Sequence, residues 1–160
     1  MRTTCHLVAA AATTWVLLVP WSTISRAAGA SGAPPAVQLP GSPASTGNGV
    51  YSEPQAKRGE ALYEQQCSVC HAADLRGLEA PPLVGEVFLS SWAGSRVGTL
   101  FERIRLTMPL QNPNGLSPQA YADVVAHIFQ VNKFPAGTSE LVPDLAVLQH
   151  ITIGSDQQGK

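Results

Sequence analysis

The sequence predicts an all-α domain, three main helices and loops wrapped around something that completes a small core. Three observations lead there. Residues 117–131 place Tyr121, Val124, Val125, Ile128 and Phe129 at i, i+3, i+4, i+7 and i+8, the full pattern of an amphipathic helix. Two further segments carry helix start and stop signals, and nothing between residues 53 and 137 alternates as a strand does. The span is about 85 residues, a size that buries a modest core and usually needs a staple, yet no disulfide framework is visible.

The first helix is read over "EPQAKRGEALYEQQ", with Ser52 or Glu53 as cap and Pro54 in the first turn, where a missing N–H does no harm. Gly59 sits in its middle, where glycine costs up to about 1 kcal/mol against alanine. Close approach of another backbone would explain it. Gly59, Tyr63 and Cys67 are spaced by four and share a face. The second helix is read over "TLFERIRLT", with Thr99 and Glu102 as a capping box and Pro109 as its stop. The third opens at Ser117 as cap with Pro118 in first position, and Pro135 and Gly137 close the domain.

The flanks differ in character. Residues 1–30 begin with Arg2, continue through an uncharged, mostly apolar run from Leu7 to Val19, and end in small residues around Ala27 and Ala30. That order describes a secretory signal peptide and hence export to the periplasm. The alternative is an uncleaved N-terminal anchor, although the run is short for a span and Pro20 interrupts it. No stable membrane insertion is expected after cleavage. Residues 31–50 are rich in proline and glycine and carry no charge, which reads as a flexible linker. The folded domain is expected over 51–137. Residues 138–160 form a C-terminal tail whose "LQHITI" could lie against the domain or a partner. A net charge of -1 and 44% hydrophobic residues argue against disorder and against nucleic-acid binding.

The chain has three cysteines, and Cys5 falls in the signal. The other two stand in "CSVCH", Cys67 to His71. C-x-x-C-H is the attachment signature of c-type haem. Two thiols add across the two vinyl groups, the two-residue gap lets both reach one edge of the ring, and the adjacent histidine lies beneath the iron. A haem would also supply the missing core. A thioredoxin-type C-x-x-C should sit near a βαβ pattern, which is absent, and zinc needs about four ligands, while beyond the signal only His127 and His150 remain. The second axial ligand is read as Met108, because the other methionine is Met1 and Met108 sits where proline stops a helix. Methionine more commonly fills a core, but His/Met ligation is an established haem arrangement.

With these residues in view the chain resembles a class I cytochrome c over residues 51–137. The resemblance implies that family's fold around one covalent haem. It implies that Gly59 and Tyr63 pack against the last helix. It implies further that Pro81, in "APPLVG", offers its carbonyl to His71; here alanine replaces the first glycine of the family's G-P-x-L-x-G. The competing reading of Pro81 and Pro82 is a stiffened loop. His127 stands where the family usually has tyrosine, and is read as a packing or surface residue off the apolar stripe. Trp92 and Arg96 are read as possible haem-propionate partners, against ordinary roles as core tryptophan and solvated arginine.

Residues 103–137 are also similar to small cytochromes that accompany bacterial quinoprotein dehydrogenases of alcohols or sugars. This implies redox partner proteins: such a dehydrogenase as donor, and a terminal oxidase or downstream cytochrome as acceptor. The expected function is therefore a periplasmic electron carrier, not an enzyme, standing alone or as a dehydrogenase's cytochrome subunit. The alternative is a small haem enzyme or sensor, peroxidase-like or gas-binding, with an open sixth position.

Overall fold

The computed structural model describes residues 44–154. The proposed signal, and residues 31–43 of the proposed linker, lie outside the described residues. In chain order the elements are β1 (Ala44–Ser45), a 3-10 turn (Thr46–Asn48), α1 (Glu53–Gln66), α2 (Ser68–His71), α3 (Gly85–Trp92), α4 (Val97–Thr107), α5 (Pro118–Val131), α6 (Leu145–Leu148) and β2 (Ile151–Thr152). The fold is all-α, as the sequence predicts, apart from a two-residue parallel pairing of β1 with β2.

The first and last main helices form where local signals place them. Ser52 accepts the Gln55 N–H at the start of α1, and Ser117 accepts the Ala120 N–H at the start of α5. Each has proline in its first turn, where no partner for N–H is needed. From Tyr121 to Phe129 every residue of α5 is buried, so this helix is enclosed by its neighbours. One side meets α1 at Gly59, where an added Cβ would lie 1.8 Å from the Asp123 carbonyl oxygen and 3.0 Å from the His127 Cβ. Another meets α4, where Phe101 and Tyr121 stand edge to face at 6.5 Å. A contact this close explains the glycine in the middle of α1.

The α1–α5 crossing also holds charge. Asp123 is 4% exposed, and its carboxylate accepts from Gln55 Nε2 at 3.1 Å, Gln119 Nε2 at 2.8 Å and Arg58 Nε at 3.0 Å. Arg58 also pairs with Glu140 at 2.9 Å. Gln55 completes the link: its amide donates to the Leu141 carbonyl and accepts the Leu141 N–H. A buried carboxylate with several donors avoids the desolvation penalty of an isolated charge.

Three expectations need correction. The capping box at Thr99 does not form. The helix starts earlier, at Val97, with Arg96 as cap and no side-chain hydrogen bond there. Arg96 is held extended by an antiparallel bridge to Thr152, which decides where α4 can begin. The linker's end is packed, not free, and the tail takes one of its two expected courses, against the domain. Ser45 and Thr46 are buried, as are Leu141, Leu148, Ile151 and Ile153. The Ile153 N–H bonds the Ser95 carbonyl, the Gly94 N–H bonds the Ile153 carbonyl, and the Ser45 hydroxyl bonds the Gly154 carbonyl. "LQHITI" thus lies against its own domain. Finally, α3 is an additional eight-residue helix that opens at Gly85 with φ of 76° and has no side-chain cap.

Candidate haem site

Between α2, the loop after it, α3, α4 and α5 lies a cavity of about 510 Å³. Its walls are largely apolar, with Leu83, Phe88, Leu100, Ile104, Val124 and Ile128 among them. Cys67, Cys70, His71 and Met108 all line it, as do Pro81 and Trp92. Residues 41 positions apart in sequence thus converge on one hollow of a size typical for cofactor sites.

The chain folds locally to present the first three. Cys67 ends α1, with its N–H on the Tyr63 carbonyl, and starts α2, whose single turn carries Cys70 and His71 round to the cavity. The following loop curls back on this turn: the N–H groups of Leu78, Glu79 and Ala80 all point to the Cys70 carbonyl, and Gly77 N–H bonds the His71 carbonyl. The buried Tyr63 hydroxyl donates to the Ala72 carbonyl at 2.7 Å. His71 is itself buried, and its Nδ1 lies 2.8 Å from the Pro81 carbonyl oxygen. A carbonyl only accepts, so Nδ1 carries a proton, and of the two neutral tautomers this selects the one whose Nε2 lone pair can bind a metal.

Met108 caps α4, with its N–H on the Ile104 carbonyl. Its own carbonyl accepts the Tyr121 hydroxyl at 2.8 Å. The loop beyond it leads past exposed Leu110 and Gln111, which flank the cavity.

In its thiol form Cys67 is pushed up to about 11, first by burial and then by the neighbouring Cys70. A redox-active C-x-x-C needs the opposite, a stabilised thiolate. The residues present therefore fit a covalently attached macrocycle: two thiols three positions apart, an oriented imidazole, a thioether and an apolar lining.

One expected haem contact stands elsewhere, and His127 takes the packing role of its two expected ones. Arg96 is exposed and does not line the cavity; its guanidinium donates to the Thr152 hydroxyl at 2.7 Å, drawn there by the bridge between these segments. The arginine that does line the cavity is Arg103, one helix turn along α4 from Thr107, which sequence reading did not single out. His127 lies in the α1–α5 crossing, buried, with its ring 5.4 Å from that of Tyr63. It is packed rather than superficial because α5 has no free face there. Burial lowers its pKa, with Glu60 and Glu64 opposing, so the imidazole is held neutral.

A family model described as cytochrome c oxidase, cbb3-type, subunit III matches residues 54–128. That span runs from the first turn of α1 through most of α5 and contains both cysteines, His71 and Met108. Over residues 54–128 the chain is a class I c-type cytochrome domain. The cytochrome is 37% identical over 84 residues to a thiosulfate dehydrogenase of Allochromatium vinosum, covering 48% of this chain and 31% of that one. It is 30% identical over 78 residues to cytochrome c-551 of Bacillus subtilis, covering 49% of this chain and 60% of that one. The match thus spans less than two thirds of either relative. No solved structure matches significantly. A domain of this family carries a covalently bound c-type haem. Among the described residues no helix is long and apolar enough to cross a membrane.

Proposed function

We propose that this cytochrome is a periplasmic single-electron carrier in which Cys67 and Cys70 form the thioethers, His71 and Met108 are the axial ligands, and the donor is a quinoprotein dehydrogenase of alcohols or sugars. The observation that carries the ligand assignment is the convergence of His71 and Met108 on one apolar cavity that both cysteines also line. The bound haem supplies a one-electron couple. The chain does the rest. Pro81 orients His71 by accepting its Nδ1–H, while the apolar walls exclude water and keep the local dielectric low. Trp92 lines the cavity and is retained as a haem contact. With two axial ligands no position is left for a substrate, which favours a carrier over a peroxidase or gas sensor. Export is supported by the order of residues 1–30 and by the usual location of this family.

Met108→Ala tests the ligand assignment. The haem should stay attached, the sulfur-to-iron charge-transfer band should disappear, cyanide or carbon monoxide should gain a site, and the reduction potential should fall, because a neutral thioether favours reduced iron. An unchanged potential and an unchanged band would show that another group ligates the iron.

The donor reading rests on the similarity of residues 103–137 and on the surface beside Met108. Residues 110–115 are exposed, Leu110 by 71%, and carry no charge. Such a face, of which Leu110 and Gln111 line the cavity, suits a weak encounter of small area. Stopped-flow reduction by a purified quinoprotein with its substrate present should proceed one electron at a time and depend only mildly on ionic strength. A rate collapsing with salt would move docking to a charged face elsewhere. No reduction by any quinoprotein of the same organism would remove this donor and leave the carrier reading in place.

A further inference from the structure

The segment between α4 and α5 is tied at both ends by one side chain. Tyr121, 1% exposed, donates its hydroxyl to the Met108 carbonyl at 2.8 Å and accepts the Leu116 N–H at 3.3 Å. Met108 is the last residue before the loop and Leu116 the last before the Ser117 cap. Within the loop, Asn112 N–H to the Pro109 carbonyl and Gly115 N–H to the Asn112 carbonyl are local turns. The Asn114 N–H reaches back to the Arg105 carbonyl on α4. Among the hydrogen bonds recorded for this segment, Tyr121 alone fastens it to the body of α5, whose Val124 and Ile128 form cavity wall. The edge contact with Phe101 holds the phenol ring from the other side. The hydroxyl thus fixes the Met108 backbone relative to the wall its side chain shares.

We propose that Tyr121 is a positioning residue for Met108, acting through the main-chain carbonyl to keep the thioether at the iron and to slow its replacement by other ligands. This rests on the reading of Met108 as the second axial ligand. The physical basis is preorganisation: a ligand whose backbone is already held loses less freedom when it binds. Freed of that bond, the Met108–Leu116 segment samples arrangements in which the sulfur is away, and an outside ligand enters during those excursions.

Tyr121→Phe removes the hydroxyl and keeps the ring. In the haem-loaded protein, displacement of the sulfur by imidazole, followed by loss of the charge-transfer band, should become faster on the order of tenfold, the scale of one hydrogen bond. In a Met108→Ala background the same substitution should leave imidazole binding unchanged, since no sulfur remains to position. A displacement rate equal to wild type would overturn the proposal even if the melting temperature fell, because a purely structural hydroxyl lowers stability without touching the iron. So would equal acceleration in both backgrounds. The wild-type protein gives an independent reading: the Leu116 amide should exchange with solvent as slowly as those of α5, and free exchange would contradict the tie. The underlying ligand assignment fails separately, through a wild-type protein that lacks the band; in that case both fall.

Discussion

Alanine at both Cys67 and Cys70 should give a protein whose band on a denaturing gel no longer stains for haem and whose helical fold is far less stable. Both cysteines line the cavity, Cys67 at the start of the single turn α2 and Cys70 within it. Without the thioethers, only the axial groups and apolar contact would retain the macrocycle, and denaturant removes both. The effect on the fold follows from where the cavity lies. Leu100 and Ile104 of α4 face it, as do Val124 and Ile128 of α5, so loss of the group exposes walls from two of the main helices at once. Each large side chain left exposed forfeits roughly 1.5–3 kcal/mol, against a total stability of about 5–15 kcal/mol for a domain of this size. The checks are haem staining and circular dichroism after expression with a haem-attachment system. A band that still stains would mean that neither cysteine carries the link. Single substitutions should each keep one thioether and remain coloured.

What the sequence disclosed and what it hid divide by distance along the chain. The caps at Ser52 and Ser117, the prolines beside them and the stripe on α5 act within a few residues, and the helices stand where these signals put them. C-x-x-C-H is equally local, and it points to the cavity from one five-residue string. The misses all depend on distant segments. Thr99 and Glu102 look like a capping box, but Arg96 is held extended by Thr152, 56 residues away, and α4 starts from there. The same pairing draws Arg96 from the cavity. Residues 138–154 carry few local signals, yet Leu141 is buried because the Gln55 amide, from the first helix, satisfies both its backbone groups. A buried glutamine on α1 was visible in sequence only as one more polar residue. Tyr121 was legible as part of an apolar stripe. Its hydroxyl was the unused clue, since a buried tyrosine nearly always finds a partner, and that partner is the Met108 carbonyl.

Gly59→Val should destabilise the cytochrome by more than the roughly 1–3 kcal/mol typical of an overpacked core. A Cβ at residue 59 would fall 1.8 Å from the Asp123 carbonyl oxygen and 2.4 Å from its carbon. These are backbone atoms in the middle of a helix, so no side-chain rotation relieves the clash. The helices must part. Parting them stretches the bonds from Gln55 and Arg58 to Asp123 and separates Tyr63 from His127. A carboxylate that is buried and loses donors is costly in its own right. Gly59→Ala is the sharper test, because two effects oppose each other in sign. Helix propensity alone makes alanine better than glycine by about 1 kcal/mol in a helix interior, and a solvent-facing site would show that gain. At a crossing this close the single added carbon already collides, so alanine too should lower the melting temperature, by less than valine. A Gly59→Ala protein that melts higher than wild type would mean that α1 and α5 do not meet at this residue. Tyr63 rides on the same face of α1 one turn further on, with its hydroxyl on the Ala72 carbonyl just past His71. Displacing α1 should therefore disturb the haem site as well, and the charge-transfer band of any folded Gly59→Ala protein should be weaker than that of wild type.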